Sequence, residues 1–346
     1  MKQSVFARML GLAVCATVTC ASLATAQTPE EFYSKHDLTL VVGAAAGGGA
    51  DFYARQFVPF WKKHIPGQPN IIVKNFGGAS GLKAAMQMSA LAPKDGSQVF
   101  MLLRNNLYDP LVSQTPLDFN AEKVNWLGSL NKETYTVAVM TRAGVNSFDD
   151  LRTKTIKMGA TSYSNANNVL PQLMNKYFGT KFNIITGYKG AAAMALALEQ
   201  GEIDGRMLPV DNLTGYGNEA PLYKAGKIKV IVQTAVKKNP LFPDVPLLFD
   251  FTKDAKVKTL TDFILAPMEA GRPFAAPEGI PADRLAALRK SFIEAATDPD
   301  YIAAMEKVTN APEPISGEEV QAIVKKLYSA PKDIIDLAKP LMNPPS

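Results

Sequence analysis

Cysteine is nearly missing from this chain, and the two it has, Cys15 and Cys20, both fall close to its start. The remainder therefore has no disulfide, no thiolate nucleophile and no cysteine-based metal site. Histidine is almost as scarce: His36 and His64 are the only two, so a Ser-His enzyme would have to recruit one of them. Beyond the first segment, no uncharged apolar run reaches the roughly 20 residues of a membrane-spanning helix. Charge of one sign is lacking too. The formal net charge of +5 comes from 37 basic and 32 acidic residues with no Lys/Arg block. Nucleic acid is excluded as a partner on this ground, since it wants a clustered basic face. The mild positive bias suits a small anionic ligand better than a cationic one.

The first 26 residues have the layout of a secretory signal peptide. Lys2 and Arg8 make a basic start, Met9 to Ala21 is apolar and small, and Ala24-Thr25-Ala26 offers a cleavage site before Gln27. Val14 and Thr19, rather than a small residue, precede the cysteines, which argues against a lipoprotein and for free release into the periplasm. Removal of Lys2 and Arg8 would take the net charge from +5 to +3.

The mature chain is long enough for two domains. Strands are expected at Leu38–Val42, Asn70–Asn75 and Val99–Leu103, with helices at Ala50–Lys63 and Ala79–Leu91 between them. That βαβαβ order implies a parallel sheet with right-handed crossovers. The layout recurs: strands at Lys154–Ala160, Phe182–Tyr188 and Ile203–Pro209 alternate with helices at Ala166–Phe178 and Ala191–Gln200. Two α/β halves follow, with one large doubly wound sheet as the alternative. Extended runs at Thr134–Met140 and Arg272–Pro277 join the halves as a two-crossing hinge. This gives residues 27–133 plus 262–346 as one domain and 134–261 as the other. After the second run only helices are expected, packing back on the first domain; Ser316 and Glu319 form a capping box at the start of one.

Gly47-Gly48-Gly49-Ala50-Asp51 lies between a strand and a helix. Glycine there lets backbone approach a ligand, and the helix start offers unpaired N–H donors, a carboxylate or phosphate site by physics. It is neither a dinucleotide fingerprint, since the third glycine would fall at Phe52, nor a P-loop, since no Lys-Ser/Thr follows. Ala46 precedes it, and Asp51 is placed as a helix cap. Gly77 to Gly81, including Gly78, Ala79 and Ser80, repeats the device after the second strand. It touches on a hydrolase nucleophile elbow but ends in Leu82 instead of Gly. Arg104 and Asn105 follow the third strand, at the edge where open α/β sheets gather ligands. Arg104 has two readings, a bidentate grip on a carboxylate or a salt bridge to a nearby acid. Thr161 to Asn168 is polar without charge, so Thr161, Ser162, Ser164 and Asn165 can coordinate an anion or simply cap a helix. Tyr188-Lys189-Gly190 opens the next helix, and Asp211-Asn212 follows the strand ending at Pro209; either pair can face a ligand or form a turn.

Together these segments resemble the receptors of tripartite tricarboxylate transporters, the Bug solute-binding proteins. The resemblance spans essentially the whole mature chain. It rests on Leu40–Val42 with Gly47–Asp51, Ile72–Asn75 with Gly77–Gly81, Ala92–Gly96, Gly187–Gly190, Gly201–Asp204, Ala225–Lys229, Phe242–Pro246 and Ala276–Pro281, in this order. It implies a two-domain, type II-like periplasmic binding protein, monomeric and without cofactor or metal. Such a receptor closes on a small organic carboxylate, di- or tricarboxylate or aromatic, and delivers it to a membrane permease of one large and one small subunit. It further implies that loops 47–51 and 161–168 hold the carboxylate, often through waters, while 188–190 and the Asp211 region close the other side. Three departures mark a divergent chain. Gly43-Ala44-Ala45-Ala46 replaces a Pro-rich approach, the second loop has no histidine, and Arg104 stands where a small or polar residue is expected. Two other classes stay open at this level: a sensor receptor signalling to a membrane partner, and an exported hydrolase using Ser80.

Overall fold

The computed structural model describes residues 27–343; the expected leader, with both cysteines, lies outside the described residues. Two mixed sheets organise the chain. The first has the order β11-β4-β10-β3-β1-β2, from Leu38–Val42 (β1), Ile71–Asn75 (β2), Gln98–Met101 (β3), Asn125–Ser129 (β4), Pro273–Ala276 (β10) and Ile315–Ser316 (β11). The second has the order β7-β6-β8-β5-β9, from Tyr135–Met140 (β5), Ile156–Gly159 (β6), Phe182–Ile185 (β7), Gly205–Pro209 (β8) and Ile228–Thr234 (β9). Each sheet keeps a parallel core, β2-β1-β3 and β7-β6-β8, and adds antiparallel strands beside it.

The hydrophobic runs that mark the strands are the buried ones. In β1 four of five residues are buried, in β5 and β8 all of them, so these read as continuous apolar runs rather than alternations. The edge strand β2 alternates between half-buried and exposed. Helices start where short polar residues accept backbone N–H groups. Asn165 accepts from Asn167 N at the head of Ala166–Phe178, and Ser316 with Glu319 makes the expected capping box on Gly317–Tyr328.

Several sequence expectations are corrected. The helix expected over Ala79–Leu91 is a short 3-10 turn, Ala79–Gly81, followed by a helix over Leu82–Leu91. The cause is backbone: Ala79, Ser80 and Gly81 have φ of 47°, 52° and 86°, which no α-helix accommodates. Thr134–Met140 and Arg272–Pro277 are not free connectors. Their strands β5 and β10 lie inside the two sheets, and the crossings run beside them. The C-terminal part is not all helix, since Ile315 and Ser316 pair with β4. Two further strands, β4 and β9, are absent from the sequence reading. The helix Ala255–Leu265 runs unbroken through position 262.

One core, on one face of the first sheet, is aromatic: Phe57, Trp61, Phe274, Phe292 and Tyr301 are all fully buried and pack ring against ring. Trp61 Nε1 finds Ser291 Oγ at 3.1 Å, so its one polar atom is satisfied. Each of these rings contributes about 1.5–3 kcal/mol by burial alone. The opposite face belongs to a larger core that runs on into the second sheet, from Phe100 and Trp126 to Met158 and Leu170. The helices Gly317–Tyr328 and Lys332–Met342 seal it.

Candidate functional site

The loops that leave the C-terminal ends of β1, β2 and β3 meet those that leave β6 and β8. Ser80 Oγ lies 3.0 Å from Ser162 Oγ and accepts from Ser164 Oγ at 3.0 Å. The Tyr53 hydroxyl donates to Asp211 Oδ2 at 2.6 Å, and Phe52 stacks on Tyr216 with centroids 4.3 Å apart. The cleft between the sheets is therefore drawn together by a hydroxyl cluster on one side and an aromatic and carboxylate contact on the other.

In the first glycine loop, Gly48 occupies the cap position of the helix Gly49–His64 and supplies no side-chain bond. Asp51 is not the cap. It sits in the first turn and reaches back to the Gly47 amide at 2.8 Å, while its other oxygen accepts from Arg55 Nε at 2.8 Å and Asn75 Nδ2 at 3.0 Å. Burial pushes its pKa up, but these bonds outweigh burial and hold it below the usual carboxylate range. Asp51 thus braces the loop, and the exposed Ala46 and Gly48 and the half-buried Gly49 form its open surface. In the second loop, Gly78 and Ala79 are exposed, and Ser80 is held in left-handed backbone by Asn105 Nδ2, which donates to its carbonyl at 2.9 Å. Strain of this kind, about 1–2 kcal/mol per residue, persists where surrounding structure imposes it.

Arg104 takes the second of its two readings. Its Nη1 lies 2.6 Å from Glu133 Oε2, its Nη2 donates to the Tyr135 hydroxyl, and its guanidinium lies over the Tyr135 ring. In the polar loop, Thr161 bonds Asn167 Oδ1 through its amide and hydroxyl, and Asn165 caps the helix. Ser162 and Ser164 point to Ser80 instead. The Tyr188 hydroxyl donates to Glu202 within its own half, and Lys189 beside it is exposed. Asp211 is engaged by Tyr53, by Asn131 Nδ2 at 3.4 Å and by Asn310 Nδ2 at 2.6 Å, with the half-buried Asn212 next to it. Burial raises its pKa against those bonds. Ala79, Tyr163, Ser164 and Asp109 also line a cavity of about 250 Å³.

Residues that sequence reasoning missed are the buried Glu133, Arg272 and Tyr53 and the half-buried Tyr216. A lone arginine at the head of the apolar run Pro273–Ala276 was the one available signal. As for Ser80, its hydroxyl meets hydroxyls. His36 Nδ1 contacts the Phe32 carbonyl at 2.8 Å and His64 pairs with Asp298 at 2.9 Å, so neither imidazole serves it.

The family model described as tripartite tricarboxylate transporter family receptor matches residues 54–337. A UPF0065 protein of Agrobacterium vitis, from the TAR-I ttuE-ttuC′ intergenic region, is 25% identical over 304 residues, 84% of this chain and 80% of its own. Among solved structures, the periplasmic binding protein BugD superposes with a TM-score of 0.68 at 20% identity, covering 89% of this chain and 98% of its own. A Rhodopseudomonas palustris protein solved with adipate gives 0.68 at 18% identity, over 88% and 97%. The fold is that of a two-domain periplasmic binding protein. This chain belongs to the tripartite tricarboxylate transporter family of receptors, which are solute-binding proteins and not enzymes.

Proposed function

We propose that this chain is a periplasmic receptor that captures a small organic carboxylate between its two halves and delivers it to a membrane permease of one large and one small subunit. The observation that carries the reading is the meeting of loops from the parallel-strand ends of both sheets, through Ser80, Ser162 and Ser164. A solute touching both sets of loops favours the closed form, which is how hinge-bending receptors work. The adipate in a structure of the same fold agrees with that class of solute. The leader up to Ala26 would supply export.

The lobes are assigned as 27–133 plus 262–346 and 134–261, with the second boundary moved back to 254/255 so that the helix Ala255–Leu265 stays whole in the first. In the first lobe Ala46, Gly48, Gly49, Gly78 and Ala79 present backbone to the solute, Asp51 and Asn105 hold those loops, and Arg104 supplies positive charge. In the second lobe Thr161, Ser162, Ser164 and Asn165 shape the pocket, with Tyr188, Lys189, Asp211 and Asn212 at its far side.

A thermal-shift panel on the mature protein tests this, with mono-, di-, tri- and aromatic carboxylates and with amino acids and sugars as controls. A ligand at a hundred times its Kd adds about 2.7 kcal/mol, a rise of several degrees for domains of this size. One carboxylate class is expected to raise the midpoint. A response to sugars or amino acids with none to carboxylates would sink the reading.

A further inference from the structure

Glu133 lies on the crossing between β4 and β5, only 4% exposed. Two guanidinium groups face it. Arg104 Nη1 is 2.6 Å from one carboxylate oxygen, and Arg272 Nη1 donates to the other. One carboxylate against two cations leaves one positive charge unmatched in this cluster. Asp211, which accepts from Tyr53 beside the cluster, spends its oxygens on Tyr53, Asn131 and Asn310.

Arg272 is 6% exposed, and its Nε has no hydrogen-bond partner among the described residues. The buried hydroxyl of Tyr216 has none either. Unsatisfied buried donors are costly, and a native site that keeps two of them together calls for an explanation. The Tyr216 hydroxyl and another nitrogen of the same guanidinium, Arg272 Nη2, converge on one spot. A Cβ at Gly49 would lie 2.7 Å from the Tyr216 hydroxyl and 3.3 Å from Arg272 Nη2. Gly49 opens the 16-residue helix Gly49–His64, whose leading amides have no partner within the helix. Burial raises the Tyr216 pKa, so its hydroxyl stays a neutral donor.

We propose that Arg272 and Tyr216, with the amide at Gly49, take one carboxylate of the solute, and that Glu133 is a resident countercharge limiting this end of the site to a single negative charge. The assignment rests on the receptor reading above. It narrows the solute to an isolated carboxylate: a monocarboxylate, or a dicarboxylate whose acids sit at opposite ends. Because Tyr216 comes from the second lobe and Gly49 and Arg272 from the first, the same carboxylate holds the lobes together.

Calorimetric titration with benzoate, adipate and citrate tests this on wild type, Tyr216→Phe and Glu133→Gln. Benzoate or adipate is expected to bind wild type at least about tenfold tighter than citrate. Tyr216→Phe deletes only a hydroxyl with no partner among the described residues, so the melting midpoint holds while affinity falls about tenfold or more, the scale of a hydrogen bond to a charged group. Glu133→Gln shifts preference toward citrate. Wild-type affinity in Tyr216→Phe, or citrate bound as tightly as the others, overturns the assignment and leaves the receptor reading standing. Binding of none of the three also overturns it, and the wider panel then decides separately whether the receptor reading falls too.

Discussion

Asp109 is a carboxylate set among amides. Asn105 Nδ2 and Asn106 Nδ2 donate to its Oδ2 at 3.0 and 2.7 Å, and no cation pairs with it among the described residues. Burial raises its pKa to about 7, against the two amides that lower it. An acid whose folded pKa lies above its unfolded value binds its proton more tightly when folded. Its contribution to stability is full below about pH 4 and is lost as pH rises through about 7. Asp109→Asn keeps an acceptor for both amides and cannot ionise. The expected result is a variant more stable than wild type at pH 8, by roughly 2–4 kcal/mol, and nearly equal to it at about pH 3.5, below the unfolded pKa. Urea unfolding at the two pH values checks this; parallel pH profiles would show that Asp109 is not the titrating group. Only part of such a site is legible in a chain. The Asn105-Asn106 pair after the third strand is plain to see, whereas the partnership of Glu133 with Arg272 spans 139 positions and exists only once β4, β5 and β10 are placed.

At the scale of elements, local chemistry was readable wherever it decided the outcome. The helix Ala166–Phe178 begins at the Asn165 cap and stops at Gly179, whose φ is 74°, and the sequence marks both ends. Strand β4 was hidden because Gly128-Ser129 reads as a turn. In the structure Gly128 has φ 154° and lies under the Phe292 ring. Strand β9 carries its apolar residues openly, with only Lys229 exposed. A βαβ repeat does not call for an antiparallel edge strand, so nothing in the pattern asked for it. Gly128 is where strand and helix are most tightly matched: an added Cβ would sit 2.3 Å from Phe292 Cε1 and 2.7 Å from the Ile315 carbonyl. Gly128→Ala is expected to cost roughly 2–4 kcal/mol through overpacking and backbone strain, read as a lower urea midpoint at unchanged slope. A variant as stable as wild type would mean that β4 and the helix Ala282–Ala296 part more easily than their packing indicates.

For the whole molecule, the proposed closure would depend on contacts that reach across the cleft, and these differ in kind. Phe52 on Tyr216 is a stack of half-buried rings, and Tyr53 on Asp211 ties a buried hydroxyl to a half-buried carboxylate. The Ser80, Ser162 and Ser164 hydroxyls are half-buried, so each of their bonds replaces one to water and is worth only about 0.5–1.5 kcal/mol. That makes Ser80 a sensitive place to weigh closure without disturbing either core. Ser80→Ala removes both hydroxyl bonds and keeps the side-chain size and the loop carbonyl that Asn105 holds. If the binding-competent form is the closed one, apparent affinity falls with its population. A loss of about three- to tenfold is expected for whichever carboxylate stabilises wild type. It should come with a larger radius of gyration by small-angle scattering in the absence of solute and an unchanged radius at saturation. The same variant separates a closure contact from a nucleophile, since a nucleophile would lose turnover of an ester and leave the scattering alone. Equal affinity with equal scattering in both states would show that the hydroxyl cluster adds nothing to closure, leaving that work to the aromatic and carboxylate contacts on the other side of the cleft.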